Sequence, residues 1–195
     1  MSINSFISKV AKQGGMSFSN NFIVRFEDNA AKYFDKEAVE FFCDEAQLPN
    51  INTATGNING IYTGIGSIDY PHTRIFTELQ LGFMLDADLS ILKSLNKWYG
   101  SIFSAVDATD GAPTRVQYRD DYAGTIKIIK TEQGPNKEPR KSIQYTLIKA
   151  YPYAIDAVPL QFGSSQVTKV TAQFKYERHY TTDLTIQKSR NTSEN

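Results

Sequence analysis

The sequence has little of the residue types that cross-link chains or bind metals. Its 195 residues include one cysteine, Cys43, which excludes an intrachain disulfide. Cys43 ends the largely apolar run 39–43, a setting that predicts a buried, unreactive thiol rather than a nucleophile. His72 and His179 are the two histidines. They are too few and too far apart in the sequence to build a zinc site from nitrogen and sulfur ligands. We expect His179 to be exposed on the polar face of a strand.

The sequence also lacks an excess of charge and a long hydrophobic segment. Lysine plus arginine and aspartate plus glutamate number 21 each, so the formal net charge is zero. A dedicated nucleic-acid binder usually carries a basic excess, because phosphate neutralisation supplies most of its affinity. No window reaches the roughly 20 apolar residues of a membrane helix, and residues 1–10 do not have the pattern of a signal peptide. These features predict a soluble protein that folds in the cytoplasm, contacts no membrane and does not bind nucleic acid tightly.

Motifs for catalysis and cofactor binding are missing as well. There is no Gly-x-Ser-x-Gly nucleophile elbow. Residues 107–111 resemble part of a calcium loop, but Gln117 stands where the closing glutamate would be needed. The glycines at 64–66 lack the rest of a dinucleotide fingerprint and are better explained by positive φ angles or close backbone approach. The acids at 120–121 would point apart in an extended segment. We therefore predict no catalytic, cofactor-binding or metal-binding residue, no cofactor and no enzymatic activity.

Alternation of apolar and polar residues predicts a mainly β protein. The spacing of the strands, with one helix among them, favours a β-sandwich or barrel with a flanking α-helix. The segment 151–153 contains Pro152 and is expected to end the strand before it. The predicted strands cover residues 21–27, 39–46, 77–85, 122–130, 142–150 and 166–180.

Two segments have helical periodicity. Apolar residues recur every three or four positions over residues 89–103, and Asp86 and Asp88 supply a cap and a favourable charge at the start. A second, shorter amphipathic helix is predicted within residues 1–12, ending before a Gly-Gly pair.

Residues 50–71 are rich in asparagine and glycine, with isolated apolar residues between them. This composition predicts a long β-hairpin with few core residues of its own. Such a hairpin is marginal alone and usually needs a neighbouring surface. We therefore interpret this segment as an arm that packs on another molecule.

The order of these elements resembles the tail tube proteins of contractile-tailed bacteriophages. The resemblance is carried by the strand ending at Leu48 and Pro49 before the long hairpin, by the strand 77–86 leading into a helix with Trp98, and by the closing segments 149–152, 159–162 and 166–180. It covers residues 18–182. It implies one tail-tube-like domain over 1–195, with an N-terminal arm at 1–17, a core at about 18–182 and a polar tail at 183–195.

The resemblance also implies a function. Subunits of this family form six-membered rings that join their sheets into an inner barrel, and the rings stack into a tube. The tube guides double-stranded DNA into the host when the surrounding sheath contracts, without binding the DNA tightly. The implied partners are further copies of the chain and the sheath, baseplate and tape-measure proteins, and the implied location is the virion tail.

Other functions fit the sequence in part. A baseplate protein that initiates the tube, or the tube subunit of a secretion system, would have the same pattern. A β-barrel carrier of small ligands would need a self-contained barrel with an apolar interior, whereas residues 50–71 indicate an arm.

Overall fold

A computed structural model describes residues 3–12, 15–60, 64, 66–104, 115–133, 139–163 and 166–184 of the chain. The helices are α1 (Ile3–Lys12), α2 (Lys36–Phe42), α3 (Ser90–Ile102) and α4 (Arg119–Tyr122), with a 3-10 turn at Asn29–Lys32. The strands are β1 (Phe22–Asp28), β2 (Cys43–Ala46), β3 (Asn52–Asn59), β4 (Ser67–Ile75), β5 (Leu79–Met84), β6 (Phe103–Ser104), β7 (Arg115–Val116), β8 (Gly124–Gln133), β9 (Pro139–Ile155), β10 (Lys169–Lys175) and β11 (Arg178–Asp183).

Seven of these strands form one antiparallel sheet in the order β1-β8-β9-β10-β5-β2, with β11 also paired to β9. The predicted mainly β class with a flanking helix is confirmed. The described strands form one large open sheet and not the closed barrel that the sequence analysis considered, because β1 and β2 stand at opposite ends of the strand order and do not pair. Helix α2 packs on β1 and leads directly into β2.

The predicted strand 39–46 is therefore wrong in its first half. Residues up to Phe42 belong to α2, and only Cys43–Ala46 is extended. Within α2, Val39 is buried whereas Phe41 is 76% exposed. A short apolar run fits a helix or a strand equally well, so periodicity could not decide between them.

The long strand β9 holds the sheet together, and it does not end where the sequence predicted. It pairs with β8 as far as Ala150 and with β10 from Tyr151 to Ile155, passing through Pro152. Lys149 has a φ of 52°, which places a local distortion beside this change of partner. Opposite Pro152 the register of β10 shifts between Gln173 and Phe174, so the missing proline donor falls at an irregularity of the ladder.

The core lies between the sheet and α3. The Trp98 ring is fully buried, with centroid distances of 5.6 Å to Phe26, 5.9 Å to Phe34 and 5.6 Å to Phe174. Its Nε1 donates a hydrogen bond of 2.8 Å to the Tyr122 carbonyl. Indole burial with a satisfied N–H makes this residue the main anchor of the helix.

Helix α3 begins at Ser90, one residue after the predicted start, and Leu89 precedes it with a left-handed φ of 53°. The Asp86 Oδ1 accepts a hydrogen bond of 2.7 Å from the Ser90 backbone N–H, which satisfies one of the free donors at the helix start. The buried face of α3 consists of Ile91, Leu95, Trp98 and Ile102. Leu89 and Tyr99, which the helical spacing placed on the same stripe, remain 40% and 38% exposed.

Two further predictions concern residues that the structure describes, and both can be compared with it. Helix α1 is confirmed within residues 1–12, and none of its residues is buried. Cys43 is buried as expected, and burial raises the pKa of its thiol to about 12. None of the helices in the described ranges is long and apolar enough to cross a membrane.

Candidate assembly surface

The hairpin of β3 and β4 stands apart from the sheet. The two strands pair with each other and pack hardly at all on other elements. Every residue of β4 is exposed, and most of β3 is as well. The predicted arm at 50–71 is confirmed as a hairpin, although the return strand extends beyond Pro71 to Ile75.

Glycines stand at the end of the hairpin where the two strands are connected. The Gly60 N–H donates a hydrogen bond of 3.2 Å to the Gly66 carbonyl, and Gly64 has a φ of 67°, a conformation that favours glycine. The positive φ expected within 64–66 is thus found at Gly64. Residues 61–63 and 65 lie outside the described part.

The strand register gives the hairpin two different faces. Residues directly opposite one another share a face, and the pairs Ile58–Ile68, Gly56–Tyr70 and Asn52–Ile75 stand on one of them. The other face carries polar residues, and there Asn57 Nδ2 donates to Ser67 Oγ at 2.7 Å and to Asp69 Oδ1 at 3.0 Å. We call the first face the apolar hairpin face, and its large members are Ile58, Ile68, Tyr70 and Ile75.

The large apolar residues of this face are exposed and lie together on one strand pair. Ile58 is 56% exposed, Ile68 48%, Tyr70 43% and Ile75 45%. The Tyr70 ring lies over Gly56, since a Cβ atom added there would come within 2.8 Å of the ring. A row of exposed large apolar side chains on one strand pair is typical of a protein interaction surface.

A cleft lies where the hairpin joins the body, and we call it the base cleft. Its volume is about 260 Å³. It continues the apolar hairpin face, because Ile75 belongs to both. The cleft is lined by Ile51, Asn52, Arg74, Ile75, Phe76, His179, Tyr180 and Thr181.

His179 corrects the sequence expectation of an exposed histidine. It is 9% exposed and is surrounded by the rings of Phe76, Tyr145 and Tyr176, at centroid distances of 5.2, 6.3 and 5.8 Å. Burial, together with the nearby Arg74 charge, lowers its pKa. Its Nδ1 has no hydrogen-bond partner in the described part of the chain.

The alternation over 166–180 predicted the wrong face for His179, because the buried face changes from even-numbered to odd-numbered residues between β10 and β11. In β10 the even-numbered residues Val170, Ala172 and Phe174 are buried, as predicted. After the break at 176–177, the odd-numbered His179 is buried instead. A two-residue interruption thus exchanges the two faces.

The two lysines of β10 are paired with carboxylates, one on β2 and one directly before β5. Lys175 Nζ lies 2.9 Å from Glu78 Oε2, and Lys169 is ion-paired with Asp44. Hydrogen bonds from Lys175 and from the Tyr153 hydroxyl hold the pKa of Glu78 below its usual value. Both lysines of β10 are therefore neutralised by carboxylates.

The remaining residues considered for chemistry form no site in the structure. Asp120 is ion-paired with Lys149 at 2.8 Å at the start of α4. Residues 107–111 lie outside the described part. Among the residues that are described, no group of three histidine, cysteine, aspartate or glutamate side chains is placed to bind a metal.

Comparison with known proteins identifies the family to which the sequence belongs. Residues 16–182 match the sequence model of a family described as phage tail tube protein. No curated protein sequence matches the chain significantly.

Solved structures share the fold at low identity. A chain of the PVC extracellular contractile injection system, from its sheath-tube complex in the extended state, is 13% identical with a TM-score of 0.59, over 94% of this chain and 99% of that one. A chain of the anti-feeding prophage tube-terminating cap is 15% identical with a TM-score of 0.60, over 86% and 91%. A chain of the anti-feeding prophage baseplate is 13% identical with a TM-score of 0.59, over 87% and 97%.

Proposed function

Because the chain belongs to the phage tail tube protein family, we propose that it is the structural subunit of the inner tail tube of a contractile tail, a hollow cylinder built from stacked rings of six copies. The observation that carries this proposal is the apolar hairpin face. Its side chains stay exposed in the single chain, and a neighbouring copy would cover them.

The sheet supports the same proposal. Its order ends at β1 and β2, and β11 pairs only with β9 among the described strands. Unpaired edges promote association with further strands. In a ring they would pair with copies of the same chain, through head-to-tail contacts that close by rotation.

The proposed role of the tube is a conduit for double-stranded DNA that enters the host cell when the sheath contracts. A conduit should not bind the DNA tightly, because the DNA has to slide through it. The zero net charge and the paired lysines on β10 support weak DNA contact, since unpaired cations would bind phosphate. The proposed location is the virion tail, assembled in the host cytoplasm, with sheath, baseplate and tape-measure proteins as partners.

This function requires no chemistry within the subunit. We propose no catalytic, cofactor-binding or metal-binding residue, and we keep the division into an arm (1–17), a core (about 18–182) and a polar tail (183–195). The carrier hypothesis loses its basis, because the described strands form an open sheet whose inner face is filled by Phe26, Phe34, Trp98 and Phe174.

A second candidate within the same class is a ring that starts or ends a tube. Chains of a tube-terminating cap and of a baseplate share the fold of this chain. The two roles differ in how the purified chain polymerises. A tube subunit forms cylinders of many rings, whereas an initiating or terminating ring stops at one or a few.

Sedimentation and negative-stain microscopy of the purified chain test the proposal. We expect rings and tubes about 80–100 Å wide, an estimate from six domains of this size around a pore. A chain that stays monomeric at high concentration under every condition would overturn the proposal.

Deleting the hairpin tip, residues 56–66, tests the role of the arm. The described residues of this tip, 56–60, 64 and 66, are not part of the core, so we expect a folded monomer that no longer assembles. Circular dichroism and sedimentation report the two properties separately. Global unfolding of the deletion variant would show that the hairpin belongs to the core.

A further inference from the structure

We propose that the base cleft binds a carboxylate side chain of a second copy of the chain, with Arg74 as its ion-pair partner and His179 as its hydrogen-bond partner. This inference deepens the proposed function and depends on it. It assigns a specific polar contact to one end of the apolar hairpin face.

Arg74 is the first observation behind this assignment. It lines the cleft, yet no carboxylate of the described residues pairs with it. A guanidinium presents several donors in a planar fork that matches a carboxylate. Several other described basic residues, Arg178 among them, also have no carboxylate partner, but they do not line the cleft.

His179 is the second, independent observation. Nine-tenths of this residue is buried, and its Nδ1 has no partner among the described residues. Buried polar atoms normally make a hydrogen bond. In the tautomer with hydrogen on Nδ1, the ring would donate to a carboxylate that enters beside Arg74.

The walls of the cleft favour a protein side chain as the occupant. Ile51 is 71% exposed and Ile75 45% exposed, and Phe76 also lines the cleft. Residues of both hairpin faces line the cleft, since Ile75 belongs to the apolar hairpin face and Arg74, opposite Thr53, to the other. A neighbour that packs at the hairpin base would therefore bring a side chain to the cleft. A free anion or a DNA phosphate would leave these apolar walls uncovered.

Neutralising variants of Arg74 test the assignment. We expect Arg74→Gln to raise the concentration needed for assembly by about tenfold or more, since one partner of a buried charge pair is lost. Arg74→Lys should restore part of the loss. The matched control is Arg115→Gln on β7, which makes the same charge change at an exposed position outside the cleft, and it should shift assembly by less than about twofold.

Assembly of the wild-type chain distinguishes a failure of the cleft assignment from a failure of the tube proposal. If the wild-type chain forms tubes and Arg74→Gln assembles equally well, the cleft assignment is wrong and the tube proposal stands. If the wild-type chain forms no rings, the tube proposal itself fails. Duplex DNA binding that is lost in Arg74→Gln, with assembly unchanged, would assign the cleft to phosphate and overturn the inference.

Chemical cross-linking identifies the occupant. Tubes of Arg74→Lys are assembled from a mixture of isotope-labelled and unlabelled chains and treated with a carbodiimide, which joins lysine to a carboxylate. We expect mass spectrometry to find residue 74 linked to an aspartate or glutamate of another copy, in mixed-isotope pairs. Links within single chains only, or no link at 74, would contradict the proposal.

Discussion

Strands β4 and β5 follow each other in the chain and have opposite environments. In β5, Leu79, Leu81 and Phe83 are no more than 1% exposed, because α3 and the sheet cover them. In β4, Ile68 and Tyr70 alternate with polar residues in the same way, yet they remain 48% and 43% exposed. Both strands alternate apolar and polar residues over part of their length, but only the apolar residues of β5 are covered by other parts of the described chain.

The difference separates folding from assembly. Covering a fully exposed aliphatic or aromatic side chain contributes about 1.5–3 kcal/mol, so each half-exposed residue of the apolar hairpin face could add about 1 kcal/mol on association. That free energy is unused in the monomer. The β5 face stabilises the fold, and the apolar hairpin face is available to stabilise the polymer.

The largest expected effect lies in the body. Replacing Trp98 by alanine removes a fully buried ring and its hydrogen bond to Tyr122, and we expect a loss of about 3–5 kcal/mol in the free energy of unfolding. Urea denaturation of the dissociated chain measures it. Tyr99→Ala, on the exposed side of the same helix, is the control and should cost less than about 1 kcal/mol. Equal losses for the two variants would contradict the assigned core.

A smaller effect concerns acid stability at the edge of the body. Hydrogen bonds from Lys130 and Ser17 lower the pKa of Glu132 to about 2. Lys130 Nζ also donates to the carbonyls of Phe18 and Asn21, at 2.5 and 3.0 Å, and so fixes the segment that leads into β1.

The sign of the pH effect follows from that lowered pKa. In the unfolded chain the glutamate pKa is about 4.3, so the folded state is stabilised above this value. That stability is lost as the pH falls from about 4.3 to about 2. We expect Glu132→Gln to flatten the fall in unfolding free energy over this range, measured by urea denaturation at successive pH values. An unchanged slope would mean that Glu132 makes no net contribution.

The elements with strong local signals could be predicted from the sequence. Helix α3, its Asp86 cap and the alternation in β5 and β10 were found because one side of each element is buried, which the residue pattern records directly. Local patterns misassigned residues 39–42 and the end of β9 at Pro152. In both places the outcome depends on partners distant in the sequence, α2 on β1 in one and the shifted register of β10 in the other.

The candidate site was predicted in part. Glycine and asparagine content located the hairpin, but its apolar face needed the strand register that places Ile58 opposite Ile68. The base cleft was missed, because His179 is brought beside Arg74 only by the reversal of faces between β10 and β11. No local signal in the sequence marks that reversal.

The smallest expected effect on folding belongs to the apolar hairpin face, and it gives the most direct test of the account. The variant Ile58→Ser/Ile68→Ser should unfold within about 0.5 kcal/mol of the wild-type chain when both are dissociated. Its Cys43 should stay protected from thiol reagents, since the residue is buried in the body. The matched control Thr55→Ala/Asn59→Ala alters the opposite face at positions that are not paired with Arg74 and should assemble normally.

The deciding measurement is the sedimentation of this double variant beside the wild-type chain. The account predicts wild-type tubes and a folded double variant that remains unassembled at the same concentration. Normal tubes from the double variant, or a loss of more than about 2 kcal/mol of unfolding free energy with Cys43 exposed, would contradict the separation of a folding body from an assembling hairpin.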